Sequence, residues 1–155
     1  MALVETLMLA NHVEVANGLL YIHGGGWTHH WRRPEIPGQD RQPSPLSAAI
    51  SFVVPSKEAD RPHPFVLAIH PPNEGEAEVV RVEGSFTVTP RPGSTEEFHR
   101  NCLGVNLSVV FPAEGRYVLS CEIPGQGRRE VVFWVHDQRQ GTAAEPSTGS
   151  VPGYI

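Results

Sequence analysis

Lysine is almost missing from this chain. Lys57 is the only one in 155 residues, and the rest of the positive charge is arginine. Acidic side chains outnumber basic ones 17 to 12, for a formal net charge of −5. Nonspecific nucleic-acid binding needs lysine and arginine to neutralise phosphates, so this balance argues against a nucleic-acid partner. Cysteine is scarce too, and Cys102 and Cys121 form no zinc or redox spacing. No stretch approaches the ~20 apolar residues that cross a bilayer as a helix. Met1 to Val15 has no basic flank, carries Glu5 and alternates in polarity, unlike a signal peptide. These absences lead us to expect a reducing, cytoplasmic location and no membrane partner. Amphipathic helical blocks are missing as well, which disfavours helical folds.

What the chain has is punctuation. Glycine and proline number 15 each, together about a fifth of the residues against roughly 12% in average usage. They fall between short apolar runs, as expected where many strands need many turns. Leu7, Leu9, Val13 and Val15 alternate with polar neighbours, the period of a half-buried strand. Asn17-Gly18 is a strong two-residue hairpin signal, because both positions tolerate positive φ. Leu20 and Ile22 resume the buried face on the return strand. A polar loop is expected from about Thr28 to Pro45. Further strands are expected around Leu46–Val54, Phe65–Ile69, Val80–Val88 (with a bulge at Gly84), Leu103–Phe111, Tyr117–Ile123 and Val131–Val135. Pro55 to Pro64 has room for one helical turn.

Eight short strands with regular turns read as an all-β, two-sheet antiparallel sandwich in one domain over residues 1–136. From Asp137 to Ile155 the composition is too polar to bury a core and predicts a disordered tail. Its apolar end, Val151–Ile155, has the character of a docking peptide.

Glu114-Gly115-Arg116-Tyr117, opening a late strand, resembles the tyrosine corner of immunoglobulin-like domains and implies a fold of that type. In antibody domains a cysteine follows that tyrosine by two residues, whereas Cys121 stands four on, so the inter-sheet disulfide does not carry over. The run LANHVEVANGLLYIHGGGW, Leu9 to Trp27, together with Gly115 to Tyr117, resembles an uncharacterised family of small bacterial proteins frequent in actinobacteria. The resemblance spans about Leu7 to Val135 and implies no activity.

Three constellations invite chemistry. His23 to Trp27 reads HGGGW, similar to the oxyanion-hole segment of α/β-hydrolases. That chemistry also needs a G-x-S-x-G serine and a parallel sheet with crossover helices, and neither is present. The glycines are better read as a strand terminator allowing close backbone approach.

The second is a histidine pair. An Asn17-Gly18 turn sets His12 opposite His23, with Glu14 on the same face, and cross-strand Cβ atoms lie about 4.5–5.5 Å apart. Two imidazoles and a carboxylate at that spacing begin a metal site, which His29 or His30 would complete if the loop folded back. A stacked pair on a solvated face is the bland alternative.

The third is the loop itself, where Trp27, His29, His30, Trp31, Arg32 and Arg33 crowd together. Tryptophan and arginine are enriched where binding energy concentrates. The tryptophans would otherwise plug the open end of the sandwich. The cysteines complete the survey. If Pro112 to Gly115 were a hairpin loop, Cys121 would lie opposite the neighbourhood of Asn106, on the buried face, with Cys102 on the other, so free thiols are expected.

The favoured reading is a non-enzymatic interaction or accessory module without a cofactor. It would present the Trp27–Arg33 loop to a protein partner or to itself, a homodimer included. The alternative is a metal-binding protein using His12, His23 and a loop histidine.

Overall fold

The computed structural model describes residues 1–138. It contains nine strands: β1 (Leu3–Ala16), β2 (Leu19–Gly25), β3 (His29–Arg32), β4 (Ser44–Pro55), β5 (His63–His70), β6 (Val80–Phe86), β7 (Phe98–Val109), β8 (Gly115–Ile123) and β9 (Gly127–Asp137). One 3-10 turn, Ser56–Glu58, occupies the predicted helical connection. Two sheets form, in the orders β2-β1-β4-β7 and β3-β9-β8-β5-β6. The all-β, two-sheet expectation holds, with one strand more than expected. The extra strand is β3, which lies where a loop is predicted and runs parallel to β9 while every other pairing is antiparallel. Among the described residues no helix is long and apolar enough to cross a membrane.

The first hairpin follows its sequence signal. Asn17 and Gly18 adopt φ of 52° and 74°, the left-handed pair a tight hairpin turn requires. They set Val13 against Ile22 and His12 against His23. The simple alternation of β1 fails, however. Leu7 and Leu9 face the main core between the sheets, whereas Val13 joins Ala10 and Ala49 in a second small cluster, with Met8, Leu20 and Ile22 packed against it. The far half of the hairpin therefore curls over the outer face of β4 and β7. Asn106 Nδ2 donates to the carbonyl of Val13 at 3.4 Å, and Ser47 Oγ to that of Asn11 at 3.4 Å. Gly104 makes the approach possible: a Cβ there would stand 2.9 Å from Val13 Cγ1.

This overlay buries β4 on both faces, from Leu46 through Phe52. No bulge occurs at Gly84, which sits in regular register opposite Phe65. Its missing side chain makes room for the Phe65 ring, 2.8 Å from where a Cβ would be. The irregularity lies in β1 instead, between Val4 and Thr6.

Tyr117 is fully buried, with its ring edge-on to Phe111 at 5.1 Å and stacked on Phe133 at 5.7 Å. Its hydroxyl donates to the Ala113 carbonyl at 2.8 Å, which forms the tyrosine corner expected from Glu114–Tyr117. The segment after β7 crosses from one sheet to the other and is not a hairpin. Cys102 thus lies opposite Ser51 in the first sheet and Cys121 opposite Leu67 in the second, and both thiols are free. The expected free thiols are present, by a different geometry. The last strand extends through Asp137, and the Gln138 amide donates to the Arg32 carbonyl at 3.1 Å. The predicted tail beyond that point, Val151–Ile155 included, lies outside the described residues.

Candidate interaction surface

Turning the predicted loop into a strand divides its residues by alternation, with His30 and Arg32 inward. Trp27, which precedes the strand, packs inward as well. Trp27 stands edge-on to Phe133 at 5.9 Å, and the His30 ring lies 5.4 Å from that of Phe111. Burial pushes the His30 pKa down, which keeps the ring neutral. Neither Trp27 Nε1 nor His30 Nε2 meets a hydrogen-bond partner among the described residues.

Arg32 is buried at 5% exposure. Its Nε and Nη2 reach the two carboxylate oxygens of Asp137 at 2.5 and 3.2 Å, and Nη1 donates to the Phe111 carbonyl at 2.6 Å. The guanidinium thus ties β3 to the end of β9 and to the chain crossing between sheets. Its hydrogen bonds hold the Asp137 carboxyl below the ordinary range. These three residues pack into the end of the sandwich, the placement that the plug alternative expects.

His29 and Trp31 turn outward onto the exposed face of the second sheet. Trp31 is 59% exposed. His136 of β9 is its register partner, with ring centroids 5.3 Å apart, and His29 stacks on His136 at 5.1 Å. The two imidazoles share a hydrogen bond, Nδ1 of His29 to Nε2 of His136, at 2.9 Å. Trp134, the register partner of His29, adds a second exposed indole to this face at 42%. Arg33 follows the end of β3 and donates to Gln42 Oε1 at 2.7 Å. His136 and Trp134 were not singled out from the sequence. Their signal was the outward alternation Val132, Trp134, His136 on the last strand, whose meaning depends on β3 docking alongside.

The histidine pair of the first hairpin has the expected register and the bland geometry. The His12 and His23 rings stand 6.0 Å apart at 37°, and His12 Nε2 contacts Glu14 Oε1 at 3.2 Å on an exposed surface. His29 is engaged with His136 and His30 is packed inward, so neither loop histidine turns toward them. Among the described residues no three His, Cys, Asp or Glu side chains are grouped to hold a metal ion.

The HGGGW glycines meet structural needs. A Cβ on Gly24, at φ +60°, would collide with Asn11 Nδ2, and one on Gly25 would sit 2.6 Å from Ile22 Cγ2. The Gly26 amide is spent on the Leu9 carbonyl at 2.8 Å.

One constellation has no sequence signal at all. His70 Nε2 lies 2.8 Å from Ser120 Oγ, and Glu78 stands 3.9 Å from Nδ1. It resembles a nucleophile, base and acid in order, but Ser120 is buried mid-strand between Ala68 and Glu130. Arg128 Nη2 also approaches the same imidazole nitrogen, at 3.3 Å. An acyl-transfer site needs an accessible nucleophile beside unspent amides, and the ladders on both sides of β8 consume those amides.

Fold and surface together define a two-sheet β-sandwich carrying an exposed indole and imidazole patch on one sheet. The chain belongs to the family of unknown function DUF6941, whose model matches residues 5–136. No curated protein and no solved structure matches it.

Proposed function

We propose that the protein is a non-enzymatic interaction module that receives a protein partner on the surface made by His29, Trp31, Trp134 and His136. The observation that carries this reading is Trp31: 59% exposed, yet flanked by two imidazoles on a hydrogen-bonded sheet. A large apolar side chain preorganised in the open is what a binding hot spot requires, because little side-chain freedom remains to be lost on association.

Immunoglobulin-like topology accords with this role. The Tyr117 corner and the parallel docking of β3 on β9 support that assignment. Two free thiols, one buried and one half-buried, support a reducing, cytoplasmic setting.

The test is cross-linking and affinity enrichment in the native cell with wild-type chain, Trp31→Ala and Trp134→Ala. Loss of the same partner in both variants, with unchanged melting, is the expected result. An identical partner set for all three chains overturns the reading.

A further inference from the structure

Edge strands invite pairing, and folded proteins blunt them with short length, proline, charge or bulges. Three of the four edges here are blunted. Strand β3 has four residues, followed at once by Arg33 and Pro34. Strand β6 carries Arg81 and Glu83, and β2 runs out in glycine. The fourth edge, β7, is twelve residues long and keeps one unbroken register with β4. It contains no proline and no lysine. Its single charge, Arg100, is neutralised within the chain by Glu5, with both bonds at 2.6 Å. No described residue bonds the backbone on its far side.

The side chains along this edge are incompletely covered too. Leu103, Val105 and Leu107 face the inter-sheet core but are only partly buried. Phe98 is exposed at the strand start.

We propose that β7 is a self-association edge, and that two copies of this chain pair antiparallel through it. The pairing joins two four-stranded sheets into one continuous sheet. A two-fold axis normal to the sheet keeps inner face with inner face, which requires residues of equal parity to oppose one another. That places the axis at Leu103 or Gly104 and brings the Leu103, Val105 and Leu107 strips of the two copies together. A second copy fits because the edge meets itself without like-charge conflict: with Arg100 already paired, no uncompensated charge lies along it.

The scale of the contact follows from the strand. Twelve residues at about 3.4 Å each, one sheet layer of about 10 Å deep, give roughly 400 Å² per copy. That is the size of a weak, reversible contact, smaller than a standard stable interface. The patch around Trp31 stays open, since it lies on the exposed face of the second sheet whereas β7 is an edge of the first.

Sedimentation velocity of the full chain, from about 1 to about 200 µM, tests the pairing across its expected range. The mass should rise reversibly from 17.0 kDa toward the dimer. Amide exchange in Phe98–Val109 should slow with concentration. Leu103→Lys should shift the midpoint at least tenfold. Cys102→Lys, which points away from the core, repeats the test should Leu103→Lys unfold. Trp31→Ala should leave the dimer intact, which separates this proposal from the one above. A wild-type chain that stays monomeric throughout overturns it. So does a dimer indifferent to both lysines, or a β7 edge already protected in the monomer.

Discussion

Arg32 and Asp137 are 105 positions apart, yet their side chains meet in a two-pronged contact, Nε to Oδ1 at 2.5 Å and Nη2 to Oδ2 at 3.2 Å. The arginine is buried and the aspartate partly solvated. The contact fastens the end of β3 to the end of β9, alongside the backbone ladder between them.

Arg32→Met should cost about 3 kcal/mol of stability at neutral pH, because the Phe111 carbonyl and the carboxylate both lose their donor. Urea unfolding measures it. The pH dependence has a definite sign. Arg32 lowers the folded pKa of Asp137, and Arg100 that of Glu5. Such groups contribute stability above the unfolded carboxylate values, about 4, and lose it as pH falls through the lower folded ones. The gap between wild type and Arg32→Met should therefore narrow below about pH 4.

The two tryptophans of the predicted loop should respond oppositely. Trp27→Ala removes an indole packed on Phe133 and should cost about 3 kcal/mol. Trp31→Ala should stay within about 0.5 kcal/mol of wild type. Thermal and urea melts of the two variants check both values.

Gly104→Ala should cost about 1–3 kcal/mol, since the new methyl group meets Val13. Val13→Ala in the same chain should recover about 1 kcal/mol of that loss. A double-mutant cycle reads the coupling, and simple additivity would mean that the hairpin does not rest on this glycine.

Burial pushes the Cys121 thiol up to about 12 and raises that of Cys102 as well. Thiolate is the reactive form. A disulfide reagent at mild alkaline pH should modify Cys102 slowly and Cys121 only on unfolding, which absorbance kinetics with and without urea distinguish.

The legible parts of this protein were those whose causes are local. Asn17-Gly18 dictates its own turn, and the turn dictates that His12 meets His23. The Tyr117 corner closes within four residues. Alternation in β4, β8 and β9 marks residues that face the core whatever lies opposite. The candidate surface was half legible: the stretch from Trp27 to Arg33 stood out, but not which residues faced out. His-His-Trp-Arg has no apolar alternation, because its inward positions hold a neutral imidazole and a paired guanidinium.

The amino-acid sequence by itself determined the strand-rich chain, its turns and the register of its first hairpin, since backbone dihedral preference and side-chain period act over a few residues. Only the tertiary structure decided that Trp31 faces outward beside His136, that Arg32 is buried and that Val13 leaves the main core. Each of those outcomes depends on a partner supplied from elsewhere in the chain: β9 for the first, Asp137 for the second, Gly104 for the third. A residue's surroundings become definite only once packing brings that partner within reach.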